Sequence, residues 1–276
     1  MKMNFFKRLR LFTLLRRFRG VLLIVMNFCD FCLILVRIIS RICCLVLAYL
    51  AYLSQFPALL IGRKEIASHL LSICSRQLLK ALGIKVCIQS DFDWNRPGRG
   101  FVHIWNHENP LDVFIVQGYL RLPSITTAGS HLGYVLPFFD LTASSAGHIL
   151  LDHMSPSSRR KSFHRAFETM STYGQMIIAP NGSLVTSIYE RVSRSPQVLA
   201  RRFSTSIAPW VFVYRNLSFS RQDLYSPLSI LLRRLLAPPA TITCSLWERD
   251  LQEIMSDIPK ELFEMCVMNF YISRKE

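Results

Sequence analysis

The sequence predicts an α/β fold: a mixed, largely parallel sheet flanked by helices, with an apolar helical hairpin ahead of it. Three observations carry that expectation. Short runs rich in β-branched and aromatic residues, such as "FVHIW" (101–105) and "WVFVY" (210–214), alternate with stretches whose apolar residues recur at helical spacing. The 276 residues suffice for one sizeable domain. Composition then changes along the chain, because the first 62 residues are basic and then greasy while the remainder is mixed. With 51% hydrophobic residues, 18% charged residues and a mean hydropathy of +0.27, the whole is more apolar than an ordinary soluble domain.

The beginning of the chain sets the class of partner. The formal net charge is +15, which favours anionic surfaces. Lys2, Lys7, Arg8, Arg10, Arg16, Arg17 and Arg19 come first, without an acid among them, and apolar sequence follows directly. Basic residues abutting grease read as an anchor on the anionic cytoplasmic leaflet of a bilayer. A nucleic-acid arm would have the charge without the grease, so no nucleic-acid partner is expected. No small-residue cleavage site follows in the manner of a signal peptide.

Residues 21–36 are apolar apart from Asn27 and Asp30, and residues 42–62 carry no charge at all. A helix needs about 20 residues to span a bilayer, so the first stretch is short and the second just sufficient. Two full crossings would strand Arg37 and Arg41 on the far side, against the positive-inside rule. A shallow helical hairpin entering and leaving by one face fits better, with residues 1–62 as the membrane-associated part and residues 63–276 as the α/β domain on the cytoplasmic side. Two buried core helices are the alternative. Of the eight cysteines, four (Cys29, Cys32, Cys43 and Cys44) lie in the grease, and the others are scattered without C-x-x-C pairs. They read as free thiols in a reducing compartment, with no metal framework.

In the second part, residues 63–82 have a helical pattern that Gly83 stops. Residues 84–90 read as a strand, "NRPGRG" (95–100) as a turn and "FVHIW" as the next strand, before a helix from Pro110 to about Leu120. "HILLD" (148–152), "QMIIA" (175–179), "WVFVY" and "TITCSLW" (241–247) are further strands, and residues 158–173 and 227–236 further helices.

His107 then stands just past the end of a strand, the edge where open α/β sheets bind ligands. Proline suits the first helical position, which makes Asn109 the N-cap and Asp112 the third residue. One reading ends there, since a first-turn acid suits the helix dipole. The other is catalytic. One oxygen of Asp112 caps while the other accepts a bond from His107, giving an imidazole oriented by a carboxylate, the arrangement of a general base. The spacing leaves both open.

"NHENPLD" (106–112) resembles the N-H-x4-D motif of the glycerolipid acyltransferases, the family of 1-acylglycerol-3-phosphate acyltransferases. Its neighbours follow in order. "LPFFDLTASSAGHILLDH" (136–153) is similar to that family's second block, "IIAPNGSLVTS" (177–187) to its third and "IAPWVFVY" (207–214) to its fourth. The resemblance covers roughly residues 79–214. It implies transfer of an acyl group from a thioester, acyl-CoA or acyl carrier protein, to the hydroxyl of a lysophospholipid or related lipid, with no bound cofactor and no metal. It also implies His107 as general base and Asp112 as its orienting partner, with Asn106, His153, Pro180, Asn181, Gly182 and Ser183 binding substrate.

The chain departs from the family pattern where phosphate is held. Asn181 replaces a glutamate, Ser183 a threonine, Leu184 an arginine and His153 a second arginine. Leucine cannot replace a bidentate guanidinium. Either nearby cations take over (Arg159, Arg160, Lys161 and Arg165, or Arg191, Arg194, Arg201 and Arg202), or the acceptor lacks a terminal phosphate. A catalytically impaired, lipid-binding relative is the competing non-enzyme reading. "ASSAG" (143–147) imitates a nucleophile elbow but has the helix and strand in the wrong order. His103 with His107 lacks a third metal ligand, and His103, His148 and His164 read as structural histidines.

Overall fold

The computed structural model describes residues 30–90, 100–107, 109, 111–126, 138–150, 156–179, 193–217, 233–234, 237–246 and 266–267. Helix α1 (30–53) continues past a turn at Ser54 into α2 (Gln55–Leu60). Next come α3 (Lys64–Ala81), β1 (Ile84–Gln89), β2 (Phe101–Trp105) and α4 (Asp112–Ile115), which runs on as a wider π-helical turn, Val116–Leu120. Then follow β3 (Ser124–Thr126), α5 (Phe139–Ser145), β4 (Ile149–Leu150), α6 (Pro156–Tyr173), β5 (Gln175–Ile178), α7 (Ser195–Phe203), β6 (Ser206–Arg215) and β7 (Ala240–Leu246).

The seven strands form one sheet in the order β1-β7-β6-β2-β5-β3-β4. Every pairing is parallel except β6 with β7. The mixed, largely parallel sheet expected from the sequence is therefore present. Strand β2 lies at its centre and is buried along its whole length, as a strand covered on both faces must be. Alternation sends Phe101 and Trp105 into one core, shared with α3, α4 and Trp210. Val102 and Ile104 enter the other, shared with Ala166 and Met170 of α6 and Leu199 of α7.

The chain is helical from Asp30 to Leu53, so the reversal expected between the two apolar stretches does not occur at residues 37–41. The charges there do not break the helix, because Arg41 is buried. Its guanidinium donates to the carbonyls of Arg234 and Ala237, at 2.6 and 2.9 Å. It sits against Gly83, whose φ of +70° ends α3 and where a Cβ would fall on the guanidinium. From Arg41 onward, Ala48, Ala51, Tyr52, Gln55 and Ala58 make a buried stripe at helical spacing. Before Arg41 the helix is exposed nearly all round, with Phe31, Leu33, Val36 and Ile39 more than half exposed. Residues 30–60 are the one stretch among those described that is long and apolar enough to cross a bilayer, with mean hydropathy 2.4.

Candidate active site

His107 lies two residues beyond β2, at the carboxyl edge of the parallel strands. Two interactions hold it there. The Asn106 side chain bonds the Phe212 backbone in both directions, its amide donating to the carbonyl at 2.9 Å and its oxygen accepting the N–H at 2.7 Å. That extends the β2–β6 pairing one residue past Trp105↔Trp210. Trp105 packs obliquely against the His107 ring, centroids 5.5 Å apart. Asn106 is thus committed to the backbone of β6. These bonds use one N–H and one lone pair of the amide and anchor the end of β2.

After His107 the chain turns into α4. Asn109 Oδ1 accepts the Leu111 N–H at 2.9 Å, and Asp112 Oδ2 accepts the Asn109 N–H at 3.1 Å. Two donors at the helix start are thus satisfied, the Asn109 N–H by Asp112 and the Leu111 N–H by Asn109, a variant of the capping box. The same Oδ2 meets His107 Nδ1 at 3.1 Å. Capping and pairing therefore share one oxygen, where the sequence suggested one each. Asp112 Oδ1 accepts instead from the Tyr214 hydroxyl at 2.6 Å.

The pair is out of water, with Asp112 fully buried and His107 only 4% exposed. Three donors around one carboxylate suit its acceptor-only, ionised form. Its charge reaches Cys244 on β7, whose thiol is pushed up first by burial and then by Asp112. Cys74 is likewise pushed up, to about 12, by burial. Both are inert thiols, as expected for cysteines used as small hydrophobes. With Nδ1–H given to Asp112, the imidazole keeps its basic lone pair on Nε2.

The other histidines separate from this pair. His103 is wholly buried, accepts from Trp210 Nε1 at 3.1 Å and is pushed down to about 4 by burial. His148 is bonded to Ser124 Oγ at 2.7 Å and to Gln117 Oε1, and is likewise pushed down to about 4. His164 is exposed on α6 rather than structural. No cluster of metal-ligating side chains occurs among the described residues. The second block is described over 138–150 and the third over 177–179, whereas His153, Pro180, Asn181, Gly182, Ser183 and Arg191 lie outside the described residues, as does the side chain of Arg159.

Helices α6 and α7 carry the chain back to the amino edges of β5 and β6, so their first turns stand on the side of His107. Arg160, Lys161 and Arg194 are exposed there. Arg201 and Arg202, in the last turn of α7, are exposed at the opposite edge. That distance removes them as candidates for holding an acceptor at His107. Tyr214 is the site residue that sequence reasoning missed. The available signal was alternation, which puts Trp210, Phe212 and Tyr214 on one face of a strand whose neighbour ends in Asn106 and His107.

Residues 87–213 match the family described as Acyltransferase. No curated protein matches the sequence significantly. Among solved structures, the fold is similar to the 1-acyl-sn-glycerophosphate (LPA) acyltransferase PlsC from Thermotoga maritima. The TM-score is 0.55 at 12% identity, over 88% of this chain and 95% of that one.

Proposed function

Because residues 87–213 match the Acyltransferase family, we propose that the protein is a membrane-bound O-acyltransferase of the glycerolipid acyltransferase kind. It moves a fatty acyl group from acyl-CoA or acyl carrier protein to the hydroxyl of a lysophospholipid or related lipid. The observation that carries this reading is the buried contact of His107 Nδ1 with Asp112 Oδ2 at the carboxyl edge of the sheet.

In the proposed reaction, His107 Nε2 takes the proton of the acceptor hydroxyl as its oxygen forms a bond to the thioester carbonyl carbon. Asp112 holds the tautomer and stabilises the imidazolium that results. When the tetrahedral intermediate collapses, the carbon–sulfur bond breaks and the imidazolium returns its proton to the departing thiolate. The products are an ester and a free thiol, and no bound cofactor takes part. Backbone N–H groups near Asn181 and Gly182 are assigned to the acceptor or the developing oxyanion. His153, Pro180 and Ser183 are assigned to substrate binding.

Helix α1 supports a seat on the membrane. Arg41 docks against Gly83 and Ala237, next to the starts of β1 and β7, which lie at the same edge as His107 because both strands run opposite to β2. The turns before Arg41 present exposed apolar side chains, among them Phe31, Leu33, Val36 and Ile39, of the kind a bilayer would cover. Shallow insertion on the cytoplasmic face brings a lipid hydroxyl to the base without leaving the bilayer. Leu184 and His153 favour an acceptor without a terminal phosphate.

Purified protein in lipid vesicles, given radiolabelled acyl-CoA and a panel of lysophospholipids, tests both points. Label entering a diacyl product most rapidly from lysolipids bearing a head group supports the reading. Lysophosphatidic acid as clearly the best acceptor refutes the acceptor assignment, and absence of transfer from either donor refutes the activity and favours the lipid-binding relative.

A further inference from the structure

Strand β6 grips the segment from Asn106 to Asp112 at both ends. The Phe212 backbone fixes Asn106, and two residues on, on the same face, the Tyr214 hydroxyl reaches Asp112 Oδ1 at 2.6 Å. We infer that Tyr214 is a positioning residue for acyl transfer, acting through Asp112 on His107. This rests on the reading of His107 as the base.

The argument is one of rotation. A carboxylate near a helix start turns about its last bond, and that terminal torsion is broad and roughly two-fold. Here Asp112 Oδ2 has two tasks, accepting from the Asn109 N–H and from His107 Nδ1. Both bonds are longer, at 3.1 Å, than the one from Tyr214 at 2.6 Å. The tightest donor therefore sits on the oxygen that does not face the base, and it fixes the plane in which the other meets the imidazole. Tyr214 is itself held in a ladder paired on its far side, opposite Ile242 of β7. Its hydroxyl is thus aimed by the sheet rather than by a mobile loop.

A hydrogen bond to a carboxylate that merely stabilised the fold would leave turnover alone once the protein was folded. A positioning bond acts on the transition state, where the imidazolium forms against Asp112. Removing it lowers kcat and leaves the binding of both substrates as it was. Its effect also disappears when Asp112 can no longer orient the ring, since residues acting as a unit are not additive.

The test is a double-mutant cycle of Tyr214→Phe and Asp112→Asn, with wild type and His107→Ala as references, measured in lipid vesicles with labelled acyl-CoA and the best lysophospholipid acceptor. Phenylalanine keeps the ring, and near-ultraviolet dichroism with a thermal melt checks the fold of each variant. The expected result is a fall in kcat of about 10-fold for Tyr214→Phe, with KM for donor and acceptor within twofold. Tyr214→Phe added to Asp112→Asn should produce no further fall. Wild-type kcat in a folded Tyr214→Phe variant, or the same fractional loss in both backgrounds, overturns the inference alone. An active His107→Ala variant, or an inactive wild type, overturns the reading beneath it and the inference with it. Should Tyr214→Phe not fold, Tyr214→Met, which keeps apolar volume and lacks the donor, takes its place in the cycle, and the same two outcomes support or overturn the inference.

Discussion

His107 and His148 are both buried, and both are bonded through their rings to side chains of the same layer, yet the partners differ in kind. His148 has one nitrogen with Ser124 and the other with Gln117. Both nitrogens are occupied by neutral groups, and burial holds the ring uncharged, down to about 4. His107 gives Nδ1 to a carboxylate that has two further donors of its own, from Asn109 and Tyr214. The first arrangement ties the π-helical turn to β3. The second makes a ring that can accept a proton and have the resulting charge answered. Burial does not distinguish a structural histidine from a base; the chemistry of its partner does.

The largest expected effect breaks the pair itself. His107→Ala lowers kcat by about 10²–10⁴-fold with an unchanged far-ultraviolet spectrum, read from initial rates of acyl transfer. Next, Asp112→Asn keeps the volume but permits the wrong tautomer and costs about 10²-fold or more in kcat. Both effects should exceed that of Tyr214→Phe.

Changes at the other histidine should move stability instead. His148→Leu leaves Ser124 and Gln117 without their partner and is expected to cost about 1–3 kcal/mol of unfolding free energy, seen as a lower Tm at neutral pH. Its kcat in the folded protein should stay within twofold of wild type. A further effect on stability is one of pH. His148 and His103 are neutral in the folded protein, at about 4, and have a reference value of 6.5. Below pH 6.5 the unfolded chain binds protons that the folded chain does not, so stability falls as pH drops from 6.5 toward 4. At pH 5 the loss is on the order of 2 kcal/mol for each ring. Thermal melts at pH 7 and pH 5 should show it, with a shallower drop in His148→Leu.

What was legible in the sequence was local. Asn109, Asp112 and His107 lie within six positions of one another, so a strand end, a cap and a first-turn acid could be read from spacing alone. The strands were legible because β-branched and aromatic runs leave few alternatives, although the three residues of β3 and helix α7, whose buried residues include Pro196 and Gln197, have too little pattern to find. Two features depend on partners far along the chain. Tyr214 meets Asp112 only through the register of β6 beside β2. Arg41 looks like a break in an apolar helix until the carbonyls of Arg234 and Ala237 are placed against it. Charge in a greasy stretch was read as a turn, whereas the fold uses it as a peg.

The most direct measurement compares wild type with His107→Ala at saturating acyl donor and lysophospholipid in the same vesicles. The prediction is steady ester formation by the first and a rate near the uncatalysed background for the second, with both proteins folded and equally bound to lipid. Equal rates would contradict the assignment of His107 as the base.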